Sequence, residues 1–164
     1  MRMFHSNLFK KLNLLLLFCC IIFSANAAYI LIPMDESQSN HLKAYGIAFY
    51  AIEREIKVDW LLNYQGGSFM IKQHTAIEDE CNIRGVSYQL IANVQSTKIL
   101  ESIASPEVNQ DVVRLEKAPK IAIYSPINKQ PWDDAVTMAL TYAEIPYEVI
   151  YDEEVLANLL PLYD

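Results

Sequence analysis

A chain of 164 residues with a formal net charge of −7 lacks the clustered Lys and Arg that phosphate backbones and anionic membrane surfaces select, so neither nucleic acid nor such a surface is expected as a partner. Its 52% hydrophobic content excludes a disordered chain and is enough for one ordinary core.

The first element is a targeting segment. Arg2, Lys10 and Lys11 precede ten unbroken apolar residues from Leu14 to Phe23, and Ala25-Asn26-Ala27 supplies the small residues of a signal-peptidase site. Ten residues are half of the ~20 that cross a hydrocarbon core, so residues 1–27 read as a cleaved secretory signal, with no stable membrane span after cleavage. The expected location is the periplasm or cell envelope. Cys19 and Cys20 follow Phe18 where a lipid-attachment site wants a small residue. Cleavage leaves ten basic against twenty acidic residues and one cysteine, Cys81, so no internal disulfide supports the mature fold.

Strands and helices then alternate. "YILIP", Tyr29 to Pro33, predicts a buried strand, and Leu42, Tyr45, Ile47, Phe49 and Ile52 predict a helix capped by Ser37 or Ser39 and leaving at Glu53 to Glu55. Val58 to Tyr64 predicts a second strand, Gly66-Gly67 a turn, and "SFMI" a short third strand. A helix over Thr75 to Arg84 should end at Gly85, followed by a strand over Val86 to Ile91 and a helix over Ser96 to Ala104. Residues 107–118 read as a linker in which "DVVRL" has the composition of an edge strand. Beyond it come a strand over Lys120 to Ser125 and a helix from Pro131 or Trp132 that packs through Ala135, Met138, Ala139 and Tyr142. A returning strand over Tyr147 to Tyr151 and a last helix from Asp152 complete the chain. This alternation predicts an α/β fold of the doubly wound kind, a mostly parallel sheet with helices on both faces, flavodoxin-like in outline. Residues 28–106 form a first βαβ lobe and 119–164 a second, incomplete βαβ unit.

In such sheets ligands collect beyond the carboxyl ends of the strands, which nominates three loops. Pro33 to His41 offers Asp35 and Glu36, with His41, for a metal or a shared proton, or for simple capping. Gly66 and Gly67 bring backbone amides near an anion, or merely turn the chain. Ser125, Asn128, Lys129 and Trp132 place polar donors beside an aromatic, which suits a small polar ligand, or a capped loop anchored by the indole. An envelope protein is the alternative partner. His74 lacks a second ligand at metal spacing, Cys81 has the setting of a buried hydrophobe, and Ser68 lacks a nucleophile elbow, so no catalytic residue, metal or cofactor is assigned.

The stretches "AYILIPMDESQSNHLKAYGIAFYAIE", "VDWLLNYQGGSFMI" and "KIAIYSPINKQPWDDAVTMALTYAEIPYEVIYDEEVL" resemble the amino-terminal part of an exported bacterial family automatically labelled asparagine synthetase B. That label implies glutamine hydrolysis and amide transfer. Its chemistry needs an amino-terminal Cys, where cleavage here exposes Ala28, and an S-G-G-x-D-S loop, where this chain has Gln65-Gly66-Gly67-Ser68-Phe69. The second half is similar to class I glutamine amidotransferase-like α/β domains, which place a Cys on a sharp elbow that this chain does not contain. Two functions follow as expectations: an exported, non-catalytic binding or scaffold domain, or an amidotransferase-type module whose catalytic residues lie outside this chain.

Overall fold

The structure, a computed structural model, describes residues 27–126 and 135–164. The leader expected over residues 1–27 therefore lies, up to residue 26, outside the described residues, as do Asn128, Lys129 and Trp132. Among the described residues no helix is long and apolar enough to cross a membrane.

The main body runs β1 (Ala27–Ile32), α1 (His41–Glu53), β2 (Val58–Leu62), β3 (Ser68–Lys72), α2 (Thr75–Arg84), β4 (Gln89–Ala92), α3 (Asn93–Ile103) and β5 (Asp111–Leu115). Its five strands lie in the order β4-β1-β3-β2-β5, and every neighbouring pair is antiparallel. The expected doubly wound, mostly parallel sheet is thus overturned. β1 and β2 do point the same way, joined by a helix, but β3 is inserted between them. This is a split βαβ arrangement, and β1 through β4 follow the ferredoxin-like order. A parallel neighbour requires a crossover of a dozen or more residues, and β2 reaches β3 through only residues 63–67. β5 joins the β2 edge, where Arg114 Nε and Nη2 donate to the two carboxylate oxygens of Asp59 at 2.7 and 3.1 Å and pin the register. The "DVVRL" segment inside the expected linker is therefore part of the sheet.

Strand alternation gives the sheet two apolar faces. Ile30, Ile32, Val58, Phe69 and Ile71 meet Ala44, Ile47, Ala48 and Ala51 of α1 and Ile77 and Cys81 of α2. Leu31, Leu61 and Met70 point the other way, against Ile99, Leu100 and Ile103 of α3. α1 is capped by Asn40, whose side chain accepts from the Lys43 amide at 3.2 Å, not by Ser37 or Ser39, which are engaged with Asp35 and Gly85. α2 closes at Gly85, with φ +67°, as its sequence predicts.

A small second unit follows: β6 (Ala122–Tyr124), α4, described from Ala135 to Ala143, β7 (Glu148–Ile150) and α5 (Asp152–Leu156). β6 and β7 pair in parallel as a separate two-stranded sheet, not as strands of the main one. α4 meets α1 through Ala143, and the half-exposed Tyr142 ring lies under Lys43 of α1; Thr137 is buried and Ala139 partly so, while Ala135 and Met138, expected to pack, are exposed. The contact with α1 turns the helix away from the face that apolar spacing alone selects. At the crossing a Cβ on Gly46 would stand 1.8 Å from the Ala143 carbonyl oxygen, so only glycine permits this approach. Polar clamps surround it. Asn40 Nδ2 donates to the Tyr142 hydroxyl at 2.7 Å, Lys43 pairs with Glu144, and Arg84 Nε reaches Glu144 at 3.2 Å and Glu80 at 2.8 Å.

Substituting Gly46→Ala should separate α4 from α1. The expected outcome is a loss of about 1–3 kcal/mol in chemical denaturation, with new proteolytic cleavage concentrated after residue 116 while the five-stranded body stays protected. Unchanged stability and an unchanged digestion pattern would show that the crossing tolerates a methyl group.

Candidate functional site

Because β1 and β2 share a direction, the loops that leave them, residues 33–40 and 63–67, meet at one end of the sheet. The Met34 amide donates to the Gln65 carbonyl at 2.9 Å, and a Cβ on Gly66 would lie 2.3 Å from the Met34 carbonyl oxygen. Asn63, Gln65, Gly66 and Gly67 all have positive φ, so the turn is tightly wound, and its glycines serve close backbone packing.

Most polar groups of the first loop bond within the protein. Asp35 Oδ1 accepts from the Ser37 amide at 3.0 Å and its hydroxyl at 2.6 Å, and these bonds hold the Asp35 carboxyl below its ordinary range. Glu36 is exposed. His41 Nε2 donates to the Met34 and Asp35 carbonyls at 3.2 and 3.1 Å, so its ring fastens the loop and does not face the two carboxylates as a co-ligand. Gln38, buried, donates to the Pro33 and Ser87 carbonyls at 2.8 and 3.1 Å and accepts from the Ser87 amide at 2.9 Å, stitching this loop to the start of the segment leading into β4. Among the described residues no three His, Cys, Asp or Glu side chains gather to hold a metal.

Ser125 lies far along the chain in the second unit. Its amide donates to the Ile150 carbonyl at 2.9 Å and the residue is buried at the end of β6. Cys81 is fully buried under α2, and burial pushes its thiol up to about 12, which leaves almost no thiolate at neutral pH. His74 caps α2, with Nδ1 accepting from the Ala76 amide at 3.3 Å. The structure thus joins the first two candidate loops into one corner, in which Gln65 Oε1 is buried with no hydrogen-bond partner among the described residues, and places Ser125 in the second unit.

The concavity that sequence reasoning missed lies at the seam between the two units. It encloses about 370 Å³. One wall is the α1 stripe of Tyr45, Ala48, Phe49 and Ile52, and its floor is Trp60 and Phe69 from β2 and β3. Leu115 at the end of β5, Pro119 and Ile121 of the connecting segment and Ile145 after α4 close the other side, and Lys117 is the one charged lining residue. The aromatic floor is fixed: Tyr45 meets Phe69 edge-on at 5.5 Å between ring centroids, Trp60 stacks on Phe69 at 6.2 Å, and Trp60 Nε1 donates to the Gly67 carbonyl at 3.0 Å. Tyr45, Phe49 and Ile52 were legible as an apolar helix face; that this face borders a cleft as well as the core was not. A second concavity of about 290 Å³ shares Phe49, Pro119 and Ile121 as a common wall and carries Glu53, Lys120 and Glu148. Comparison of the chain with protein-family models, with characterised proteins and with solved structures gives no match.

Two outcomes follow from these environments. Native Cys81 should resist alkylation at pH 8, read by mass spectrometry of its peptide, and react fully once the chain is unfolded; labelling of the folded protein at the unfolded rate would contradict the burial. The carboxyls of Glu144, Glu148 and Asp164 are held below their ordinary range, chiefly by bonds from Lys43, Tyr163 and Lys117 respectively. Their contribution is therefore complete above about pH 5 and is lost as pH falls through the lowered values. Thermal midpoints measured from pH 6 down to pH 3 should drop, and Glu144→Gln should flatten that drop by lowering the midpoint mainly at pH 6.

Proposed function

We propose that this chain is a non-catalytic binding module that holds an apolar small molecule in the cleft between its two units. The observation that carries this reading is the cleft itself: about 370 Å³ walled almost wholly by aliphatic and aromatic side chains, with its aromatic floor held by a hydrogen bond to backbone. Sites that bind small molecules are concave and mostly apolar, within the range of ~300–1,000 Å³. Water in such a space makes few hydrogen bonds, so a ligand that displaces it gains the burial of its own apolar surface.

The setting we infer is the cell envelope, on the strength of the leader-like residues 1–27. The small polar ligand expected at the loop from Ser125 to Trp132 has less support, because Ser125 is buried at a strand end. The amide-transfer alternative implied by the family resemblance needs a reactive thiol beside a base, and the cysteine among the described residues is buried with a raised pKa.

Titration with the uncharged fluorophore N-phenylnaphthylamine tests the reading. Saturable one-to-one binding should quench Trp60 emission in a Trp132→Phe background. Tyr45→Glu should weaken it at least tenfold, because Tyr45 is 43% exposed on the cleft wall and a carboxylate there charges the cavity without entering the core. Absence of saturable binding, or binding indifferent to Tyr45→Glu with circular dichroism unchanged, would overturn the proposal.

A further inference from the structure

Just outside the apolar cleft the chain already holds a carboxylate. Asp164 Oδ1 and Oδ2 accept from Lys117 Nζ at 2.7 and 3.1 Å, and Oδ2 also accepts from the backbone amide of Lys120 at 2.9 Å. The Asp164 amide in turn donates to the Lys120 carbonyl at 3.1 Å, which sets the side chain over this spot. Two kinds of donor, an ammonium and a peptide N–H, thus converge on one carboxylate, and together they hold the Asp164 carboxyl below its ordinary range. Lys117 is a lining residue of the cleft, and Pro119, between the two donor residues, lines it as well.

Resting on the cleft reading above, we propose that the ligand is an amphiphile with a carboxylate head, whose apolar part fills the cleft and whose head takes the position between Lys117 Nζ and the Lys120 amide that the Asp164 side chain occupies. Asp164 is then an internal stand-in for the ligand's head. The exchange replaces one carboxylate by another at the same donors and returns Asp164 to water, so the head costs little to seat and the apolar tail supplies the affinity. The displaced pair is weak: the side chains of Lys117 and Asp164 are 77% and 44% exposed, and solvent screens an ion pair so placed. An ammonium head would face Lys117 at the same place and be repelled. A hydroxyl head gains no charge and leaves Asp164 where it is.

The full chain, its Asp164→Asn and Lys117→Met variants and a Lys117→Arg control should be titrated calorimetrically with decanoate, decanol and decylamine below their micellar concentrations. Decanoate should bind the unaltered chain most tightly. Asp164→Asn, which weakens the internal competitor, should raise decanoate affinity about threefold; Lys117→Met should lower it about fivefold and Lys117→Arg should restore it, with decanol unmoved throughout. Decanol binding as well as decanoate, decylamine binding best, or Asp164→Asn leaving decanoate unchanged would each overturn the head assignment while leaving the cleft as a site for neutral apolar molecules. Failure of all three to bind would overturn the cleft reading and this inference with it. Both altered side chains are exposed, and unchanged thermal midpoints confirm that any loss is one of binding.

Discussion

Five residues separate the end of β2 from the start of β3, and that short span governs the rest of the molecule. It admits a reversal but no crossover, so β3 must run back along β2. Once β3 also pairs with β1, the two strands joined by α1 are parallel yet separated, and the sheet becomes antiparallel throughout. α1 and α2 share one face because each spans such a split connection, and α3 is left to cover the other. The same geometry brings the loops after β1 and β2 to one end, where Gly66 packs on the Met34 backbone.

The second constraint is the closeness of α1 and α4 at Gly46. A backbone-to-backbone contact fixes the second unit beside α1, and the Lys43, Arg84, Glu80 and Glu144 cluster surrounds it with charge. The Arg84 side chain is 91% buried and lies over the Tyr50 ring of α1 at 5.3 Å, so from α2 it reaches both α1 and Glu144 at the end of α4. Glu144 sits at φ +59°, a left-handed position that usually falls to glycine, and its carboxylate bridging Lys43 and Arg84 accounts for a charged residue there. The neighbouring α1 stripe, Tyr45, Phe49 and Ile52, is left facing the gap between units, and the cleft is that gap.

Local structure was legible in the sequence to within a few residues for most elements, since strand length, Gly85 and the Gly66-Gly67 turn each carry their signal in neighbouring positions. Strand order was not, because pairing partners such as Ile30 and Ile71 are set by distant contacts that βα alternation does not encode. The turn before β3 held the decisive clue: reading it as a hairpin contradicts a parallel sheet. The candidate polar loops were legible as loops, but whether Asp35 faces a ligand or caps Ser37 depends on a single rotamer and a neighbour two residues on. The cleft was illegible for a plainer reason. Its walls come from α1, the sheet, the connecting segment and Ile145, and none of these is unusual alone.

The β6 and β7 pair has three residues in each strand, and a two-stranded sheet of that length has little cohesion of its own. It persists through its attachment to α1 and the backbone bond from the Asp164 amide to the Lys120 carbonyl. Its shortness predicts that amides of this unit exchange at lower free energy than those of β1 and β3. That unit supplies part of one side of the cleft, through Ile145, so the rigidity of that side is no greater than the cohesion of the unit.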